Sequence, residues 1–365
     1  MEIDVVSDET GLAAILGDWR ALQARAARFP FSDPALFAAW WNLRGRHQHR
    51  ELHLVTVRHQ GALMALAPLV VAHQWPMRVL EWGGGELLDY CDFLLESDEW
   101  ATPLWRAIQD SGNYDFGLLR DVHPHADCAP SLGARAQPVR RSQVSRIRLR
   151  WTSAQDWMDD ALSPSARTFL RRAERRLEKQ GEVRFELCRG SPVPESVLDA
   201  LARQKAEWLR VFSKSSWMSD DCTVGLPLLH AVADAAAASG RLHLSWLQCG
   251  DRIIATHLGF THNDVLHWYI PAYAQDWSRF SPGRLLLLKL IACAIDDGLS
   301  NIDFMRGAES YKDSLANEQF ALTDFFFARS RVAVLARPGL LAMYRRRAAA
   351  SMGDDHGPNA VRVAP

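Results

Sequence analysis

Hydrophobic positions in the first third of the chain change between helical and strand-like spacing. Apolar residues from Leu12 to Leu22 recur at intervals of three and four, which predicts an amphipathic helix over residues 9–28. A proline-rich break and a second, tryptophan-containing helix follow. Residues 51–73 then form two apolar runs around a Gln60-Gly61 turn, which predicts a β-hairpin. A further strand, a helix and another strand complete a mixed α/β order.

The second half of the chain repeats this order. Helices are predicted over residues 193–212 and 226–238, and a hairpin follows that turns at Gly250-Asp251. A further strand, a helix and a strand come next, as they do in the first half. Ala65–Leu69 in the first hairpin corresponds to Ile254–Leu258 in the second. Repetition at this scale predicts a duplicated domain.

The predicted domains meet in an arginine-containing segment. Residues 130–150 show little regular structure, so we place the boundary there. We predict an N-terminal domain over residues 1–150, a C-terminal domain over residues 151–335, and a C-terminal helix with a disordered tail over residues 336–365. The last strand of the C-terminal domain is expected over residues 323–334.

A strongly basic helix is predicted at the start of the second domain, over Arg167–Gln180. A basic helix is usually a solvated face. The alternative is a helix that faces phosphate groups or the other domain.

The segment Tyr269–Lys312 contains the clearest candidate site. Its turn Ser281-Pro282-Gly283-Arg284 precedes an almost wholly apolar helix, Leu285–Ala294, and a short strand follows at Asn301–Phe304. A helix that starts beside a strand points free N–H groups outward, which favours an anion. The alternative is a buried β–α–β unit followed by a solvated polar loop.

Composition narrows the classes of function. The chain has 365 residues, 48% of them apolar, and a formal net charge of −1, so no general attraction to nucleic acid is expected. The six cysteines are scattered without metal-ligand spacing, which favours reduced thiols and no metal site. The acidic N-terminus does not resemble a signal peptide, and no apolar run is long enough to span a bilayer. We therefore expect a cytoplasmic protein.

Short motifs follow one another along most of the chain, from about Trp19 to Phe327. They are Pro30-Phe31 with Trp40-Trp41, Ala65–Leu69, Gly83-Gly84-Gly85 to Asp92, Arg167–Glu178, Leu258-Gly259-Phe260, Tyr269–Tyr273, Phe280–Leu285, and Asp303-Phe304 through Tyr311-Lys312. In this order they resemble the GNAT superfamily. More narrowly, they resemble the bacterial acetyltransferase family linked to cellulose and exopolysaccharide biosynthesis, which is related to the tandem-GNAT Fem aminoacyl-transferases.

The resemblance implies a fold and a reaction. The fold would be α/β (α+β), with two GNAT-like domains that each contain a mixed, mostly antiparallel sheet flanked by helices. The reaction would be direct acyl transfer from acetyl-CoA or another acyl-CoA to an amine or hydroxyl of a sugar, a polysaccharide precursor or a small metabolite. No metal is implied.

The resemblance places the donor in the second domain. The donor pyrophosphate would bind at Ser281, Pro282, Gly283 and Arg284, with Arg306 as a further contact. A strand-edge N–H or a donor such as Tyr311 would stabilise the oxyanion, and Lys312 would meet the donor phosphate or carbonyl.

Three carboxylates are candidates for the general base: Glu309, Asp303 and Asp89. Glu309 is equally well explained as a solvated surface carboxylate, and Asp303 as a buried, paired one.

The acceptor would lie between the halves, with Asp89–Asp92 facing Arg306–Lys312. Its candidate contacts are Asp89, Tyr90, Asp92, Trp217, His257, Trp268 and Tyr273. A tight turn after the triple glycine explains the first three equally well, and core packing explains the aromatic residues. A histidine on a strand is more often part of the core than of a site.

Two alternatives remain open. A Fem-like transferase would take its acyl group from aminoacyl-tRNA, and the basic helix is the feature that favours tRNA. A GNAT-like module without catalysis would bind a carbohydrate or a protein partner.

Overall fold

The computed structural model describes residues 1–212, 216–218, 224–307 and 309–353. It divides into a first unit, Met1–Gln143 with Phe320–Asp354, and a second unit, Val144–Gln319. The predicted domain boundary at residue 150 lies close to the start of the second unit. Residues 320–335, which the prediction assigned to the second domain, belong to the first unit because their strand pairs with a strand there.

The first unit contains a mixed sheet and helices on its faces. The helices are α1 (Glu9–Ala26), α2 (Pro34–Leu43), α3 (Ala101–Asp110), α4 (Cys128–Arg135) and α11 (Arg331–Gly353). The strands are β1 (Glu2–Val6), β2 (Arg50–His59), β3 (Ala62–Gln74), β4 (Met77–Trp82), β5 (Leu94–Leu95), β6 (Phe116–Val122) and β13 (Glu318–Ala328). The strand order is β1-β2-β3-β4-β6-β13, with β5 beside β3.

The second unit has the same kind of architecture. Its helices are α5 (Ala154–Ala161), α6 (Pro164–Glu178), α7 (Glu195–Val211), α8 (Gly225–Ala238), α9 (Pro282–Asp296) and α10 (Ser310–Leu315). Its strands are β8 (Val183–Cys188), β9 (Leu242–Cys249), β10 (Arg252–His262), β11 (Val265–Tyr273) and β12 (Asn301–Asp303), and the strand β7 (Gln137–Arg148) pairs with β12. The strand order is β7-β12-β11-β10-β9-β8.

The two units repeat one another, as the sequence predicted. A strand, two helices, three antiparallel strands, a helix and a further strand follow in the same order in each. The long hairpins turn at Gln60-Gly61 and at Gly250-Asp251. In each unit the strand after the hairpin pairs in parallel with the strand that follows the next α-helix: β4 with β6, and β11 with β12. The predicted fold class, a mixed and mostly antiparallel sheet flanked by helices in each of two domains, is confirmed.

The core of the second unit forms around α9. Leu286, Leu287, Leu290 and Ile291 are buried on several sides of this helix, against the sheet and against α5 and α6. This burial explains why the helix is apolar around most of its circumference. Proline occupies its first turn, where a missing N–H costs no helical hydrogen bond.

Three local predictions were wrong. Residues 130–150 are not irregular: they form α4 and β7, and Val139, Val144 and Ile147 are buried strand residues among the arginines. The last strand ends at Ala328, and α11 begins at Arg331, before the start of the predicted C-terminal segment at residue 336. The polar run after β12 contains a short helix, α10. Residues 213–221, whose polar composition predicts a loop, lie mostly outside the described residues, and so does the predicted disordered tail.

Candidate active site

The start of α9 has the features of an anion site. Ser281 precedes the helix in the left-handed conformation, at φ 54°, and its side chain does not cap the helix. The N–H groups of Arg284 and Leu285 both reach the Ser281 carbonyl, at 3.1 Å. Pro282 has no N–H, so the N–H of Gly283 is the group of the first turn that the helix leaves without an acceptor. The positive end of the helix dipole adds to this local potential.

Arg284 supplies a full positive charge at the same place. Its guanidinium lies 5.5 Å from the centre of the Phe169 ring on α6, and it forms no ion pair with any described residue. Burial lowers the pKa of Arg284 below its usual value. An arginine that is half-buried and unpaired has a strong preference for an anionic ligand.

Tyr273 joins this helix start to the end of β11. A side-chain Cβ placed on Gly283 would lie 3.2 Å from Tyr273 Cδ1, so the glycine lets the helix backbone approach the tyrosine ring. Tyr273 is half-buried and packs against the core of the second unit.

The strands β11 and β12 separate on the way to this point. They pair in parallel only from Val265 to His267, after which β12 ends and β11 continues to Tyr273. Between the pairs Leu258–Ile270 and Phe260–His267, β10 advances by two residues and β11 by three, so β11 holds a bulge. Pro271, which has no N–H to donate to a ladder, fits a strand edge that has no β12 partner.

Tyr311 on α10 contacts β11 near this opening. The Trp268 Nε1–H donates to the Tyr311 hydroxyl oxygen at 3.0 Å, and no described residue accepts the Tyr311 hydroxyl proton. Burial, followed by the negative charge of Glu309, raises the pKa of Tyr311 above its usual value. The phenol therefore stays protonated and able to donate.

Lys312 is buried and satisfied by the protein. It is 4% exposed, and its Nζ lies 2.7 Å from Glu309 Oε2 and donates to the Arg306 carbonyl oxygen at 2.8 Å. Gly307 makes room for this pair: a Cβ at that position, where φ is 115°, would lie 2.4 Å from Glu309 Oε2 and 2.8 Å from Lys312 Nζ. Burial alone would raise the pKa of Glu309, but the charge and hydrogen bond of Lys312 outweigh burial, so its pKa is lowered.

His257 and Trp268 form the inner wall beside Tyr311. Their rings stack at 4.2 Å with an angle of 13° between planes. His257 is fully buried, its Nε2 has no hydrogen-bond partner among the described residues, and burial lowers its pKa well below the usual value. Gly259 allows this position, since a Cβ there would lie 2.4 Å from His257 Cε1.

Asp303 holds the backbone at the end of β12. It is 3% exposed, and its Oδ1 accepts the Met305 N–H at 2.8 Å, where Met305 has a φ of 58°. This contact gives Asp303 a structural function in the turn that leads to Arg306 and Gly307.

The predicted acceptor residues of the first unit have structural partners. Tyr90 is 1% exposed and contacts the rings of Phe29 and His123, at 5.5 and 5.2 Å. Asp92 accepts the N–H groups of Asp127 and Cys128 at the start of α4, both at 2.9 Å, and burial raises its pKa to about 7. Asp89 is half-buried in the turn between the triple glycine and Tyr90.

The second unit therefore gathers most of its predicted site residues into two groups. Ser281, Pro282, Gly283, Arg284 and Tyr273 meet at the start of α9, while Trp268, Glu309, Tyr311 and Lys312 meet at α10. Trp217 is 6% exposed in the short described segment 216–218, and no hydrogen bond or ring contact among the described residues links it to either group. The expectation that residues 89–92 face residues 306–312 stays a prediction.

Sequence reasoning missed Phe169 and Gly307. Phe169 is an apolar residue among arginines on the outer side of α6, and 38% of it is exposed. Phe169 does not share the helical spacing of the buried Leu170 and Leu177. This departure was the signal in the sequence that Phe169 lies outside the core. Gly307 lies in the polar run and gave no signal beyond being a glycine.

The outer face of α6 carries the basic residues that the sequence singled out. Arg171, Arg172, Arg175 and Arg176 are exposed and form no ion pair with any described residue. The described chain contains no group of three or more His, Cys, Asp or Glu residues placed to hold a metal. None of its helices is long and apolar enough to cross a bilayer.

Comparison with known proteins gives a family match and a fold match. Residues 164–313 match the family model described as acetyltransferase (GNAT) domain, while no curated protein matches the chain. The crystal structure of FemX has a TM-score of 0.61 at 9% identity and covers 92% of this chain and 99% of its own. L-PGS from Bacillus licheniformis has a TM-score of 0.55 at 12% identity, covering 91% of this chain and 95% of its own. The C-terminal domain of a putative lysylphosphatidylglycerol synthetase from Agrobacterium fabrum has a TM-score of 0.52 at 11% identity, covering 91% and 96%.

At identities this low, the solved structures share a fold with this chain and no more than that. The resemblance to GNAT proteins is confirmed, and the link to cellulose biosynthesis stays a prediction. The match to the GNAT family model covers the strands and helices that form the start of α9 and the Tyr311 cluster. Residues 164–313 therefore match the GNAT domain model, and the chain as a whole shares its fold with FemX.

Proposed function

We propose that this protein is a GNAT-type acyltransferase that moves an acyl group from acyl-CoA to an amine or hydroxyl. One observation carries the proposal: an unpaired arginine and a helix N-terminus lie against the end of a strand edge that β12 has left open. The arginine and the helix N-terminus fit a pyrophosphate, and the open strand edge fits an extended acyl-pantetheine arm.

The donor phosphates would bind at the start of α9. The Gly283 N–H and the Arg284 guanidinium supply hydrogen bonds there, and charge-assisted bonds of this kind are stronger than neutral ones. Arg306 remains a candidate for a second contact. Phe169 and Tyr273 offer flat apolar surfaces beside the phosphates.

The chemistry would be completed at α10. The acceptor attacks the acyl carbon, the C–S bond of the thioester breaks, and a C–N or C–O bond forms. The Tyr311 hydroxyl donates to the negative charge that develops, and Trp268 orients it by donating to the same oxygen. Glu309 takes the acceptor proton, directly or through water, since its lowered pKa keeps it ionised at neutral pH.

Lys312 and His257 would act by position. The buried Lys312 ammonium is already neutralised by Glu309, so we assign it the task of holding that carboxylate. The His257 ring stacks on one face of the Trp268 ring and supports it. The acceptor itself is proposed to be a saccharide or a small metabolite, and a cytoplasmic site of action would give access to acyl-CoA.

A second candidate donor, aminoacyl-tRNA, is favoured by the exposed arginine face of α6. Four arginines without carboxylate partners among the described residues lie along one helix and provide several phosphate contacts. The Agrobacterium fabrum protein that shares this fold is described as a putative lysylphosphatidylglycerol synthetase, a name that points to transfer of a lysyl group.

Titration calorimetry with acetyl-CoA, longer acyl-CoAs and aminoacyl-tRNA separates the two donors. Acyl-CoA binding should weaken about 10- to 100-fold in Arg284→Ala, since a charged hydrogen bond contributes about 1.5–3 kcal/mol. Arg184→Ala, which removes an exposed arginine from β8, is the matched control and should bind normally. Failure of every acyl-CoA to bind would refute the proposal. Binding of aminoacyl-tRNA that falls steeply with salt and is lost in Arg172→Glu/Arg176→Glu would establish the second donor instead.

A further inference from the structure

Exposed apolar side chains are concentrated in one region of the first unit. Among the described residues, nine large apolar side chains are exposed, and five of these lie on α11 or in the turn before β4. They are Trp75, Val332, Val334, Leu335 and Met343. Trp75 is 94% exposed and Leu335 is 83% exposed, so these two side chains have almost no protein contact.

The opposite face of α11 is anchored to the same part of the sheet. Ala333 and Leu341 are buried in a cluster with Val79 on β4, and Met77 packs against that cluster. The Tyr344 hydroxyl donates to the buried carboxylate of Asp324. The helix therefore has a fixed inner face against β4, the strand that starts just after Trp75, and its exposed apolar residues lie outside that contact.

The charge of α11 is entirely positive. Its sequence from Arg331 to Gly353 contains five arginines and no acidic residue. Arg331, Arg345 and Arg346 are exposed and form no ion pair with a described residue. Leu335 lies one turn after Arg331 and about three turns before Arg346, so apolar and basic residues share the exposed side.

We propose that this surface, formed by Trp75 and the exposed side of α11, docks the protein on a membrane that contains anionic phospholipids. Arginines interleaved with apolar side chains are the composition of helices that lie in the lipid headgroup region, and tryptophan prefers that region. The side chains protrude singly from a convex helix instead of lining a groove, and α11 carries no acidic residue that would pair with a basic protein partner. The positive charge selects the anionic headgroup, and the apolar side chains enter the acyl boundary.

Vesicle co-sedimentation of the full chain tests the proposal. The protein is mixed with vesicles of phosphatidylcholine alone, or of phosphatidylcholine with phosphatidylglycerol, at low and high salt. The wild type should pellet with the anionic vesicles only, and less at high salt because salt screens the arginines. Leu335→Glu and Trp75→Ser should each lower the partition coefficient by about tenfold or more, since each removes a large apolar side chain from the contact. Arg345→Glu/Arg346→Glu should abolish the preference for anionic vesicles.

Ile3→Glu is the control, because Ile3 is also an exposed apolar residue of the first unit but lies on β1 opposite Val57. It should pellet like the wild type. The substituted residues are exposed, so circular dichroism and melting should match the wild type in all variants. The proposal is overturned if the wild type stays in the supernatant at low salt, or if Leu335→Glu and Trp75→Ser bind as well as the wild type. It is also overturned if sedimentation velocity shows a dimer that Leu335→Glu dissociates while no variant or wild type binds vesicles.

Discussion

Replacing Tyr311 with phenylalanine separates the proposed catalytic role of its hydroxyl from its structural role. The hydroxyl accepts the Trp268 Nε1–H at 3.0 Å, and no residue in the described part of the chain accepts its own proton. A donor aimed at charge that develops in a transition state contributes about 2.7–4 kcal/mol, so kcat should fall about 100- to 1,000-fold. The donor KM should change little, because the phosphates bind at the start of α9.

The same substitution has a predictable cost in stability. It leaves the buried Trp268 Nε1–H without an acceptor, which costs about 1–3 kcal/mol in the free energy of unfolding. Release of free CoA, measured with a thiol reagent and an acceptor that supports turnover, gives the rate, and denaturant unfolding gives the stability.

Two control variants separate the effect on turnover from the effect on stability. Trp268→Phe removes the buried N–H that orients Tyr311 but keeps the hydroxyl, so it should lower kcat less than Tyr311→Phe does. Tyr344→Phe removes a tyrosine hydroxyl bonded to Asp324 in the first unit, so it should lower stability and leave kcat unchanged. A Tyr311→Phe enzyme with the wild-type kcat would refute the assigned role, whatever its stability.

Three further predictions concern backbone space and buried charge. Gly307→Ala should destabilise the protein by about 2–4 kcal/mol, from the positive φ and from the contact with Glu309 Oε2, and it should also lower turnover; a wild-type melting temperature would contradict this. Gly259→Ala should be at least as damaging, since its Cβ would lie 2.3 Å from the His267 carbonyl oxygen; thermal unfolding tests it. Asp92 has a pKa of about 7 in the folded protein, above its unfolded value of about 3.9, so the free energy of unfolding should decline as pH rises between those values. Asp92→Asn should reduce that decline, as measured by denaturant titrations at several pH values. Equal pH slopes in the two proteins would show that Asp92 does not carry the effect.

The hairpins and α9 were predictable because local spacing decides them. Each hairpin has two apolar runs joined by residues that tolerate positive φ, and α9 is apolar around most of its surface. In these segments the pattern visible over about a dozen residues is the same one that tertiary packing requires.

The strand β7 was missed because its partners are distant in sequence. Its arginines appear unpaired when only neighbouring residues are considered. In the structure Arg140 bonds Asp324, which is 184 positions away, and Arg146 bonds Glu318, which is 172 positions away. Charged side chains on a strand are stable when such pairs form, and a single sequence does not show which carboxylates supply them.

The candidate site was predictable as a set of residues but not as a set of contacts. The turn before α9 and the run Glu309 to Lys312 were identified by composition. The burial of Lys312, its pairing with Glu309 and the hydrogen bond from Trp268 to Tyr311 depend on how α10 lies against β11. Such distances are set by packing, which local periodicity does not encode.

The position of β13 has a consequence for how the protein is made. The second unit, Val144–Gln319, is continuous in sequence, whereas the first unit needs β13 and α11, which follow it. During synthesis the ribosome therefore releases every strand of the second unit before it releases the last strand of the first. Until then β6 has an unpaired edge of the kind that invites wrong pairing. The half of the protein that is translated first is thus the half that is completed last.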